Sequence, residues 1–172
     1  MSTEQPGTSV PMSLSEQIRI AEQALTRHLD WIKSVEAKLA VIVAIDIAML
    51  GALTSRIPAT PQSWWLVGLF AVIGGGAVLV SLVFCALALF PRVKSPNLSI
   101  LFFGSISAHS SAEYASRFAQ LSEQDYLNDL LQQVHRNSQI ASAKYGFVKW
   151  ATGLLLTAII PWLISLYMME TL

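Results

Sequence analysis

Charged side chains vanish from this chain in three places. Leu39–Leu53 reads LAVIVAIDIAMLGAL and holds a single acid, Asp46. Trp64–Phe90 runs 27 residues and Trp150–Met169 runs 20, neither with a charged residue. About 20 helical residues cross ~30 Å of hydrocarbon. The second and third runs qualify outright, and the second has length to spare for tilt. The first is short. It reads as a span because the linker SRIPATPQS, Ser55–Ser63, supports only a hairpin turn. The spans are therefore expected at 39–54, 64–90 and 150–169, the first two forming a hairpin over 39–90.

The polar segments have their own pattern. Residues 1–12 read as a disordered tail. Ser13 with Glu16 spells a capping box that opens a helix over 13–38. Along it Ile18, Leu25, Ile32 and Leu39 recur every seven residues, with Ala21, His28, Val35 and Ile42 at the partner positions. That is one apolar seam running into the first span. After the second span, Pro91 and Pro96 break the helix, and SPNLSILFFG, Ser95–Gly104, reads as a loop or short extended piece. Ser110 and Glu113 spell a second capping box, for a short helix to about Gln120. Ser122 is the next N-cap, with Glu123 and Asp125 suiting the first turn. Tyr126, Leu127, Leu130, Leu131, Val134, Ala141, Lys144 and Val148 then follow one face. The pattern predicts one helix of ~45 residues from Glu123 through the third span, about 67 Å at 1.5 Å per residue. Its polar half is expected to pack on the N-terminal helix. The predicted fold class is an all-α membrane protein with about three transmembrane helices and a cytoplasmic helical module over 91–149.

Basic residues orient it. Lys33 and Lys38 precede the first span, Arg92 and Lys94 follow the second, and Lys144 and Lys149 precede the third; Arg56 alone is on the other side. The positive-inside rule puts the N-terminus and residues 91–149 in the cytoplasm. The first 35 residues lack an apolar signal core. Composition agrees: 53% of the 172 residues are hydrophobic and 13% charged. That rules out a disordered chain. Eleven basic and eleven acidic residues cancel, which disfavours a nucleic-acid binder. One cysteine, Cys85, excludes a disulfide framework.

Candidate chemistry is sparse. A carboxylate in mid-membrane costs ~2.5–3.5 kcal/mol on insertion scales. Asp46 is thus either a gating or pore-lining group, or a protonated acid bonded to Ser81, Thr157 or a backbone carbonyl. Ala40, Ala44, Ala48 and Ala52 form one small-residue seam, and Ala77, Ser81 and Cys85 another; either suits close helix packing, within a chain or between chains. Gly74-Gly75-Gly76 has no following Lys-Ser or Lys-Thr, so it marks a flexible or tightly packed point rather than a phosphate loop. His28, His109 and His135 lack ligand spacing, so no metal site is expected. Ser105 and His109 make only a generic nucleophile and base, and no catalytic residue is assigned. Arg92, Lys94, Arg117, Arg136 and Lys144 can meet an anion, and Phe102, Phe103, Tyr114, Tyr126 and Tyr145 can stack on a base. The simpler physical reading makes them headgroup contacts and core aromatics.

Two stretches carry a resemblance: SPNLSILFFGSISAHSSAEYASRF, residues 95–118, and SEQDYLNDLLQQVHRNSQIASAKYGFVKWA, residues 122–151. With the leading helix and two-span hairpin, the chain resembles the transmembrane effectors of the Pycsar (pyrimidine cyclase) antiphage system over residues 30–165. The matching positions are Asn97, Phe102, Phe103, Gly104, Tyr114, Gln133, Ser138, Ile140, Lys144 and Tyr145. Asp46 departs from the pattern, where a neutral polar or small residue is expected. The resemblance implies a non-enzymatic effector. A uridylate or cytidylate cyclase supplies cyclic UMP or cyclic CMP as the ligand, with no other cofactor. The effector binds it in the cytoplasm and impairs the bacterial inner membrane, causing abortive infection. Asn97, Phe103, Tyr126, Gln133, Arg136 and Lys144 are the candidate ligand-binding residues, and Asp46 the candidate gate. Three spans from one chain make a poor pore, so a homo-oligomer in the lipid bilayer is expected. The alternatives are a membrane effector gated by another nucleotide or oligonucleotide, an intramembrane enzyme, and a structural membrane subunit.

Overall fold

The computed structural model describes residues 11–56, 65–90 and 99–171. The tail over 1–10, most of the proline linker, and residues 91–98 with Arg92, Lys94 and Asn97 lie outside the described residues. Among the described residues five helices follow in order: α1 Leu14–Thr54, α2 Trp65–Leu89, α3 Phe103–Ser107, α4 Ser111–Ala119 and α5 Glu123–Thr171. No strand occurs among the described residues. Helices α1, α2 and α5 are long and apolar enough to cross a membrane. The fold is all-α, and α5 is one unbroken helix of 49 residues.

Local chemistry accounts for the starts of α4 and α5 and, in part, of α1. Ser110 caps α4 in a complete box: its hydroxyl accepts from the Glu113 N–H, and the Glu113 carboxylate accepts from the Ser110 N–H. Those hydrogen bonds hold the Glu113 carboxyl below its usual range. Ser122 caps α5, its hydroxyl accepting from the Asp125 N–H at 3.1 Å. The box expected at Ser13 forms only by half. Ser13 Oγ accepts from the Glu16 N–H at 3.3 Å, but the Glu16 carboxylate turns outward to Arg19. A bidentate charged partner one turn along outcompetes a neutral backbone N–H. The loop expected through Gly104 is shorter, because Phe103 and Gly104 already belong to α3.

The chain divides into two compact units, and α1 and α5 supply residues to both. The first comprises residues 1–28 and 93–137. Its core is Ala21 of α1 against Leu127 and Leu130 of α5, flanked by Leu14, Ile18, Leu25, Leu101 and Tyr126. The polar half of α5 thus packs on the N-terminal part of α1, using the heptad seam. The second unit comprises residues 29–92 and 138–172. There α1, α2 and α5 enclose Val35, Leu39, Ile42, Met49, Val78, Cys85, Ala151, Leu155 and Ala158. Its outer faces carry Val41, Ile47, Val72, Val83, Leu156 and Ile160, all exposed, the kind of surface hydrocarbon solvates.

In a bilayer, apolar burial does little to bring helices together; close packing and hydrogen bonds hold them. The second unit shows both. A Cβ on Gly74 would sit 2.9 Å from the Trp162 backbone nitrogen, so α2 meets α5 backbone to backbone there. The Trp162 indole N–H donates to the Met49 carbonyl of α1 at 2.9 Å. One glycine and one indole therefore join all three helices at a single level. Of the glycine run, Gly74 is the tight point; Gly76 has open space at its Cβ position.

Candidate functional site

In the second unit the feature that stands out is polar. Asp46 of α1 and Ser81 of α2 are fully buried. Ser81 Oγ lies 2.8 Å from Asp46 Oδ2 and 3.1 Å from the Ala151 carbonyl oxygen of α5. Of the partners open to Asp46 by sequence, the structure selects Ser81. Thr157 is spent on its own helix, donating to the Gly153 and Leu154 carbonyls. Ala77, Ser81 and Cys85 face inward, whereas Ala40, Ala44 and Ala48 face outward. On the same unit Lys144 of α5, only 8% exposed, pairs with Glu36 of α1. Lys38 lies over the Tyr145 ring, 5.8 Å from its centroid.

The first unit centres on a carboxylate that sequence reading missed. Asp129 Oδ2 accepts from the Ile100 N–H at 2.8 Å, the Leu101 N–H at 3.1 Å and the Ser99 hydroxyl at 3.0 Å. Ser99 Oγ in turn accepts from the Phe102 N–H at 3.0 Å and the Gln133 side-chain amide at 2.8 Å. Asp129 and Gln133 sit one turn apart on α5 and hold residues 99–102 as a staple. That pair of polar residues, four apart within an apolar stripe, was the available signal. Asp129→Ala is expected to leave the Ile100 N–H without its acceptor and the Leu101 N–H with Ser99 Oγ alone, at about 1–3 kcal/mol for a stranded buried donor. Amide hydrogen exchange would show it as faster exchange at Ile100 and Leu101, with α4 amides unchanged.

The predicted ligand residues fall as follows. Asn97 lies outside the described residues. Phe103 opens α3 with an exposed ring, 4.6 Å from the Phe102 ring centroid. Tyr126 donates its phenol to Glu22 of α1 at 2.8 Å, and that bond pushes the phenol up from its usual range. Gln133 is buried in the staple, and half-buried Arg136 is engaged in a contact of its own. Phe103, Tyr126, Gln133 and Arg136 share the first unit; Lys144 belongs to the second, with its charge taken by Glu36. His109 Nδ1 meets the Ser105 carbonyl oxygen at 2.7 Å. An apolar cavity of about 230 Å³ opens between α1 and α5, lined by Ile20, Ala24, Leu127, Leu131 and Val134 among others. With almost no polar lining, it offers nothing to an anionic nucleotide.

Fold and site together define an all-helical, three-span type of membrane protein with a polar helical unit built from the same long helices. The family model for the Pycsar effector protein domain matches residues 20–169. The chain belongs to that family, and its role is that of an antiphage effector. It is also similar to the Pycsar effector protein PtPycTM of Propioniciclava tarda, 29% identical over 154 residues, covering 81% of this chain and 75% of that one. No solved structure matches the chain.

Proposed function

We propose that this effector binds a cyclic pyrimidine mononucleotide, cyclic UMP or cyclic CMP, made by a partner uridylate or cytidylate cyclase. Binding then impairs the bacterial inner membrane and aborts the infection. The observation that carries this reading is the extent of the family match, which runs through the polar unit and all three candidate spans. The lysines and arginines gather at one end of the spans, which supports an N-terminus and first unit in the cytoplasm, where a soluble nucleotide is met. Helices α1 and α5 belong to both units, so a ligand on the first can bias the second. The ligand must bind one state better than the other for that to happen. Moving the bundle from 1:99 to 99:1 takes about 5.5 kcal/mol of differential binding. Several chains moving together share that demand, and the outward seam of Ala40, Ala44 and Ala48 supports a homo-oligomer.

The test is dye release from liposomes carrying the purified chain, with cyclic UMP, cyclic CMP, cyclic AMP and cyclic GMP added separately. Release with one pyrimidine and neither purine is the expected result. Silence with all four, from inserted and folded protein, overturns the reading. Release with a cyclic oligonucleotide alone would move the assignment to a different messenger.

A further inference from the structure

The buried contact at Asp46 has a donor count that narrows its role. Ser81 has one hydroxyl hydrogen and two acceptors within reach, Asp46 Oδ2 and the Ala151 carbonyl. The second carboxyl oxygen, Asp46 Oδ1, is buried with no hydrogen-bond partner among the described residues. The groups packed here from α2 are Ser81 and the adjoining Cys85 thiol, and from α5 the Ala151 carbonyl. Residues 39–54, 65–89 and 150–169 contain no lysine, arginine or histidine. A charge held at this point would have no counter-ion within the spans, and the single Ser81 hydrogen could not serve both the carboxylate and Ala151. A neutral carboxyl group satisfies both contacts with the hydrogens available: its O–H donates to Ser81 Oγ, the Ser81 O–H donates to Ala151, and what stays without a donor is an uncharged carbonyl oxygen.

We propose that Asp46, Ser81 and the Ala151 carbonyl form a hydrogen-bonded latch that holds α1, α2 and α5 in the membrane-tight arrangement, through hydrogen bonding and not through charge. Asp46 and Ser81 are positioning residues in this role. The latch's release as the triggered step rests on the proposed function; its hold on the helices does not.

The protein carries its own reporter. Cys85 is the sole cysteine, is 1% exposed, and lies one turn from Ser81 on the same face of α2. The experiment follows alkylation of Cys85 by membrane-permeant N-ethylmaleimide in liposomes without nucleotide, for the wild type, S81A and D46N. Full labelling in detergent-denatured samples sets the scale. An asparagine amide can donate to Ser81 while Ser81 donates to Ala151, so D46N is expected to label within about 2-fold of wild type. S81A is expected to label at least 10-fold faster and to leak dye without nucleotide. Loss of helical signal in S81A with D46N intact also supports the latch, because only one hydroxyl oxygen has been removed. S81A labelling at the wild-type rate overturns the proposal. So does D46N labelling as fast as S81A, which would mean that the charge matters. Fast S81A labelling without basal leak removes the latch from membrane tightness. Nucleotide-triggered release is read separately on the same liposomes: its absence, with the labelling pattern intact, sinks the effector mechanism and leaves the latch standing.

Discussion

Gly74→Val is expected to be the most damaging single change in the membrane-spanning unit. Its first side-chain carbon would meet the Trp162 backbone nitrogen at 2.9 Å, closer than real contacts allow. The two nearest atoms are backbone and the third is the Trp162 Cβ, fixed to that backbone, so no rotamer change relieves the contact; α2 and α5 must separate. Overpacking of this kind costs about 1–3 kcal/mol where rotamers can adjust. Here the displacement also carries Trp162 away from the Met49 carbonyl and breaks that hydrogen bond. Thermal unfolding in detergent should show a midpoint several degrees lower, with less protein recovered from membranes. Gly76→Val, two residues on with nothing within 4 Å of its Cβ position, should be near wild type. Equal behaviour of the two variants would mean that α2 does not approach α5 through Gly74.

The ion pair of Lys144 and Glu36 is expected to respond unequally to loss of its two members. The Lys144 side chain is 10% exposed, that of Glu36 47%. Removing Glu36 strands an ammonium group away from water. Removing Lys144 leaves a carboxylate that water can solvate. Breaking a buried pair costs about 3–5 kcal/mol when the survivor stays buried; the half-open partner brings the Glu36→Gln figure toward the lower end. Lys144→Met should cost much less, since the lysine stem packs as methionine does. The double variant should recover most of the loss, because no buried charge is left alone. Denaturant midpoints of the three variants check this order. A Lys144→Met midpoint below that of Glu36→Gln would overturn it.

These two contacts show where sequence reading stops. The length of α5 was legible, because caps and apolar spacing are local and nothing interrupts them before Gly146. The Ser110 box was legible for the same reason. At Ser13 the same four-residue spelling was incomplete in the fold, since Arg19 offered Glu16 a stronger partner. Helix α3 was hidden: the flanking prolines and Gly104 read as loop, and the Asp129 staple that holds its entry comes from a residue 28 positions after Leu101. Ser81 could be put forward for Asp46, beside Thr157 and a backbone carbonyl, because few polar side chains lie within the spans. Glu36 could not be matched to Lys144, 108 residues away, because both sit on polar segments with many possible partners.

Asp46 also bears on how the chain enters the bilayer during synthesis. The best 18-residue window of α1 has a mean hydropathy of 2.0, against 2.5 for α2. Its acid adds an insertion cost that the shorter first run is poorly placed to bear alone. The hydroxyl that relieves it, Ser81, is on the helix made next. The first two spans are therefore suited to leave the translocon together as a pre-bonded hairpin, with the more hydrophobic second helix carrying the reluctant first one into lipid.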